Sequence, residues 1–100
     1  MNKNYTQIAE VIIPWHDDEE SQTMLHIFDI TDNEALRLET IGWSTDYQFY
    51  SYAAVKQEIM DTLGVSNDYG VLPGAPFHRY SAELVSPHTV MLWDTLAYNV

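Results

Sequence analysis

The chain contains no cysteine, which removes disulfides, thiolate metal sites and cysteine nucleophiles from consideration. Small secreted domains usually carry disulfide staples, so the absence favours a reducing compartment. Basic residues are nearly as scarce. Lys3, Arg37, Lys56 and Arg79 are the whole set, too few and too scattered to line a phosphate track, which argues against direct binding of DNA or RNA. No apolar run reaches the length of a membrane span. The opening MNKNYTQIAEV lacks the uninterrupted apolar segment of a signal peptide. The expectation is a soluble, cytoplasmic protein that meets no membrane. Catalytic signatures are missing too: there is no phosphate loop, no G-x-G-x-x-G and no G-x-S-x-G elbow. With two lysines and no cysteine, covalent catalysis has few carriers. Neither a cofactor nor an enzymatic activity is expected.

What is abundant is negative charge. Fifteen carboxylates against four bases give a net charge of −11 and a sequence pI near 4.3. Residues 1–63 hold most of the excess. Such a field repels nucleic acid and anionic membranes and attracts basic surfaces. Apolar residues make up 46% of the 100-residue chain, enough for one modest core and against a disordered acidic tail. No repeat or linker divides it, so residues 1–100 read as a single domain.

The order of elements follows from local pattern. YTQIAEVII, 5–13, is rich in β-branched residues and ends at Pro14, and TMLHIFDI, 23–30, reads as its antiparallel partner. Leu36, Leu38 and Thr40 alternate with Arg37, Glu39 and Ile41, which we read as a third strand over 35–43. The competing signal there is the capping-box spacing of Thr31 and Glu34, with Gly42 as a helix stop. Ser51 opens a helix whose apolar face is Tyr52, Val55, Ile59, Met60 and Leu63. Gly64 followed by Val65 suits a left-handed C-terminal cap. Residues 67–76 read as a loop with a Pro73-Gly74 turn. FHRYSAELV, 77–85, and TVMLWDTLAY, 89–98, complete a β-β-β-α-β-β order. This describes an α+β domain: an antiparallel sheet of about five strands with one helix packed on one face.

Two excesses could carry function. PWHDDEESQ, 14–22, connects the first two strands and sets Asp17, Asp18, Glu19 and Glu20 in a row behind Trp15 and His16. A metal site there would need the loop to fold back, because adjacent residues of extended chain point in different directions. HDD resembles the motif of the His-Asp phosphohydrolases, but the further ligands of that family and its mainly helical domain are not offered here. His26 falls on an apolar strand face and reads as a hydrogen-bonded core histidine. The second excess is aromatic: DYQFYSY, 46–52, packs four rings into seven residues, and tyrosine is favoured where an interface needs area with a polar tip.

Charges at a hairpin tip commonly serve solubility. A local solvation role does not explain −11 overall, since ordinary soluble domains mix both signs. Alternate residues of extended chain lie about 6.5–7 Å apart, so pairs such as Asp17/Glu19 and Asp32/Glu34 would space negative charge as a nucleic-acid backbone does. The expected binding surface is Asp17, Asp18, Glu19, Glu20, Asp32, Glu34, Asp46, Tyr47 and Tyr50. The expected partner is a basic nucleic-acid-binding protein or nuclease. In size and charge, though in no motif, the chain resembles the anti-CRISPR and anti-restriction proteins of phages and plasmids. That resemblance implies a non-enzymatic, DNA-mimic inhibitor acting in a host cytoplasm. An immunity protein against a basic nuclease toxin is the nearest alternative, and a small metal-dependent enzyme or ligand-binding domain using His16, Asp17 and Asp18, or the LPGAPFHRY loop at 72–80, the next.

Overall fold

The computed structural model describes residues 3–13, 22–44, 49–67 and 76–98. β1 (Tyr5–Ile13) and β2 (Gln22–Ile30) are followed by α1 (Asp32–Gly42). A short ribbon of β3 (Trp43–Ser44) and β4 (Phe49–Tyr50) leads to α2 (Tyr52–Leu63), then to β5 (Pro76–Ser86) and β6 (Thr89–Tyr98). The main sheet is antiparallel with order β1-β2-β6-β5. Two hairpins lie side by side, and the segment α1–ribbon–α2 carries the chain from one to the other. The α+β class and antiparallel sheet are as expected. Among the described residues, however, the main sheet has four strands rather than five, and there are two helices.

The difference lies within 35–43, where residues 35–42 belong to α1 rather than to a strand and only Trp43 is extended, in β3. The Thr31 hydroxyl accepts from the Glu34 amide at 3.2 Å, and Asp32 and Glu34 place negative charge at the helix start, where the dipole favours it. The alternation of Leu36 and Leu38 was misleading: Leu38 is fully buried, whereas Leu36 is 64% exposed. The inward set is Glu34, Leu38 and Gly42, a helical spacing. The notion that Asp32 and Glu34 share a strand edge therefore falls.

α2 forms where expected, with the Ser51 hydroxyl accepting from the Ala54 amide at 3.3 Å. Gly64 ends it at φ 74°, a conformation that costs glycine least. The Gly64 amide bonds to Asp61 O at 3.2 Å and the Val65 amide to Met60 O at 3.0 Å, which satisfies two terminal carbonyls. Val55, Ile59 and Met60 are buried, but Tyr52 is 75% exposed and does not belong to the core face. α2 lies against β5, and the core joins Leu38 and the α2 trio to Tyr5, Ile30, Ala82, Val90 and Leu92 of the sheet.

Both edge strands carry one bulge: β1 between Gln7 and Ala9, β5 between Leu84 and Ser86. The extra residues, Ile8 and Val85, are exposed. Bulges of this kind interrupt the run of free backbone groups that makes a sheet edge adhesive.

Candidate functional site

Pro87 and His88 form the tight connection between β5 and β6, and this turn is tied to the start of α1. The Ile30 amide donates to His88 O at 2.9 Å, and His88 Nε2 lies 2.5 Å from Asp32 Oδ1. α1 leaves the sheet at that point, and a groove of about 550 Å³ opens between it and the end of β5. This volume lies in the range of roughly 300–1,000 Å³ typical of ligand sites. Asp32, Leu36 and Glu39 form one wall at helical spacing, and Leu84, Val85 and His88 form the other.

Tyr50 floors the groove because α1 ends in Gly42. A Cβ on Gly42 would lie 2.5 Å from Tyr50 Cζ and 2.8 Å from Val55 Cγ2, so only glycine lets the ring lie against the helix end. Burial first, then the nearby Tyr52 and Glu39, raises the Tyr50 phenol above its ordinary pKa, so it remains a neutral donor. The Tyr52 ring meets Tyr50 edge to face at 5.1 Å. A second recess of about 230 Å³ adjoins on the far side of Tyr50, between the start of α2 and Ser81–Leu84. The two share Tyr50 and Leu84. Together they carry Asp32, Glu39 and Glu83, with Lys56 as the one cation that lines either. Leu36, Val85 and Tyr52 are three of the seven large apolar side chains found exposed among the described residues, and all three line these recesses.

Asp32 and Tyr50, two of the residues expected from sequence to bind a partner, thus come together here. Glu34 does not. It is 2% exposed, on the opposite side of α1. It accepts from Tyr5 Oη at 2.5 Å, from Arg37 Nε at 2.6 Å and from Arg37 Nη2 at 2.8 Å. Arg37 also donates to Glu58 and, at 3.0 Å, to Thr62 Oγ1. Burial alone would push the Glu34 carboxyl up, but the bonds from Arg37 and Tyr5 outweigh it and hold it below its ordinary pKa. Burial and the bond to Glu34 raise the Tyr5 phenol, and the bonds to Glu34 and Glu58 raise Arg37. Glu34 is a structural carboxylate, and its placement on a binding surface is corrected. Asp17, Asp18, Glu19, Glu20, Asp46 and Tyr47 lie outside the described residues, as does His16.

Leu36, Glu39, Val85 and His88 were missed because 35–43 read as a strand. Once helical spacing is assigned, Asp32, Leu36 and Glu39 fall on one face. The remaining described histidines are half-buried or exposed on the sheet. His26 Nδ1 lies 3.3 Å from Gln7 Oε1, so it is hydrogen-bonded as expected, but it is half-buried rather than part of the core; His78 Nδ1 lies 2.7 Å from Asp94 Oδ1. The recess beside the latter pair is only about 100 Å³. Among the described residues no three histidines or carboxylates converge as a metal site would require. No helix there is long and apolar enough to cross a membrane. The chain matches no family model, no curated protein and no solved structure, so the acidic, apolar-walled groove is the feature from which function must be argued.

Proposed function

We propose that this protein is a small acidic, non-enzymatic inhibitor that binds a basic nucleic-acid-handling protein, a nuclease included, and competes with the nucleic acid for its surface. The observation that carries the reading is the groove beside α1, where exposed apolar side chains sit among carboxylates that have no arginine partner in its walls. Arg37, the cation nearest to it in sequence, is spent on Glu34 and Glu58 on the other side of the helix. Ordinary surface pairs would compensate such charges. Here Asp32 and Glu39 keep their field for a partner, while Leu36, Val85 and Tyr50 supply apolar and aromatic contact area. Complementary charge would speed capture and set orientation, with the apolar contacts slowing release.

The test is competition. The protein, immobilised, is used to capture partners from host lysate, and a captured nucleic-acid-binding protein is then challenged with duplex DNA and with salt. The proposal expects DNA to displace the partner and affinity to fall steeply between low and high ionic strength, because exposed charges are screened beyond about 8 Å at 0.15 M. A partner that binds DNA and this protein together, or with an affinity indifferent to salt, would refute it.

A further inference from the structure

We propose that the twin recess takes an extended, basic segment of the partner, which adds to the outer edge of β5 as a short extra strand. This rests on the reading of an acidic protein-binding surface and specifies how that surface engages. Among the described residues β5 ends the sheet order, and half of its backbone groups face away from β6. The direction is fixed by one bond: the Tyr80 amide donates to Asn67 Oδ1 rather than to β6. Alternation then turns the amides and carbonyls of Ala82 and Leu84 outward as well. Asn67 closes this edge at one end and the bulge at Val85 closes it at the other. Between them lies a short regular edge, and it is the stretch that borders both recesses.

The occupant's chemistry follows from the lining. An added strand alternates its side chains every residue, so the one set that faces α1 would lay basic side chains with their aliphatic stems on Tyr50, Leu84 and Leu36 and their heads toward the acids of the same wall. The charges that border this channel are Asp32, Glu39 and Glu83 against Lys56. Asp32 and Glu39 are seven residues apart on α1, about 10 Å along its axis. Lysines or arginines two residues apart on an extended chain, about 6.5–7 Å at the backbone, reach both through flexible stems. A second copy of this chain is a poor occupant, because two bodies of net charge −11 repel. The fit is therefore to a segment with basic residues at alternate positions, bound by main-chain hydrogen bonds for affinity and by side chains for selectivity.

The probe is a capped octapeptide of alternating lysine and valine, with two N-methylated forms, one methylated at every valine and one at every lysine. Only one alternate set of amides in an added strand faces β5. One methylated form should therefore lose about tenfold or more in affinity by fluorescence anisotropy, while the other binds like the parent. In amide exchange the Ala82 and Leu84 amides of the protein should become protected on binding. The double variant Asp32→Asn/Glu39→Gln should weaken binding and flatten its salt dependence while its melting stays near that of the parent protein. Equal binding by the three peptides would overturn the edge assignment and leave capture by acidic surface alone. Absence of peptide binding would overturn it too, while DNA competition for the captured partner would still decide the broader reading. Protection of Ala82 that grows with protein concentration in the absence of peptide would give the edge to a second copy and overturn the proposal.

Discussion

Replacing Arg37 by methionine keeps the length of the stem and removes the charge that neutralises Glu34. Glu34 is 2% exposed, so its carboxylate would be left with the Tyr5 hydroxyl as its one remaining side-chain donor among the described contacts. Removing one partner of a fully buried pair costs roughly 3–5 kcal/mol. Arg37 itself is 40% exposed and water can reach its side of the pair, so about 2–3 kcal/mol is the expected loss at pH 7. For a chain of this size that is a fall of roughly 10–20 °C in melting temperature. The pH dependence is the sharper part. In the parent protein Glu34 is held below its ordinary pKa, so it contributes stability above the unfolded value of about 4.3, and that contribution is lost as pH falls through its folded pKa. In the variant the opposing bonds from Arg37 are gone and burial raises the carboxyl. The sign then reverses: protonation relieves the folded state, and the variant recovers relative to the parent as pH falls. Urea titrations at pH 7, 5.5 and 4 should show a stability difference that shrinks steadily toward acid, with background effects of the other carboxylates cancelling between the two proteins. A difference that does not change with pH would mean that Arg37 acts through the packing of its stem, and the charge argument would be wrong.

The two leucines of α1 separate helix from strand directly. Leu38→Ala should cost about 2–5 kcal/mol as a core cavity, and Leu36→Ala less than about 0.5 kcal/mol; equal costs in chemical denaturation would contradict the helix. Gly42→Ala should cost roughly 1–3 kcal/mol by overpacking against Tyr50 and Val55, read as a lower urea midpoint together with a changed Tyr50 environment in NMR. Converting Asp17, Asp18, Glu19 and Glu20 to their amides should leave folding intact, since isolated surface charges contribute little. It should also lower affinity for the captured partner and flatten its salt dependence, and unchanged binding would confine the interface to the groove.

Much of the fold is legible in local pattern because the informative contacts are local. Ser51, Gly64 and Val65 mark the ends of α2 through bonds that reach only three to five residues. The strands β1, β2, β5 and β6 announce themselves by β-branched runs, a proline and a short turn. α1 was legible only at its ends, in the Thr31 cap and Gly42, and its interior read as a strand for an equally physical reason. Its inward face includes Glu34, an acid that breaks the apolar periodicity by which amphipathic helices are recognised. That acid is tolerated in the core only because Tyr5, 29 residues away, and Arg37 satisfy it, and Arg37 is itself anchored to Glu58, 21 residues on. Pairing over such separations leaves no trace in spacing. The groove was hidden for the same cause: it joins α1 to a turn more than fifty residues later, and only the sheet order brings them together. Asp32 and Tyr50 were found by their residue types alone, before either had a place.

The separation of charges across α1 bears on how such an acidic chain can fold and still keep a field to offer. Carboxylates that repel one another destabilise a compact state, and a chain with four bases cannot neutralise fifteen acids pair by pair. The structure concentrates one guanidinium on two of them, Glu34 and Glu58, where burial makes compensation necessary. Asp32 is left with a histidine contact and is almost fully solvated, and Glu39 on the same face is likewise exposed. In water an unpaired carboxylate costs little, so leaving the outer face of α1 uncompensated is cheap for folding. The same helix therefore holds a carboxylate essential to stability on its inner face and carboxylates dispensable to it on the outer. It follows that Glu39→Gln should change binding without changing melting, that Asp32→Asn should change binding at a cost to stability of no more than about 1 kcal/mol from its place at the helix start, and that Arg37→Met should change melting first. If the two sets of variants instead moved both properties together, the inner and outer faces would not be independent, and the groove's acids would belong to the fold rather than to a partner.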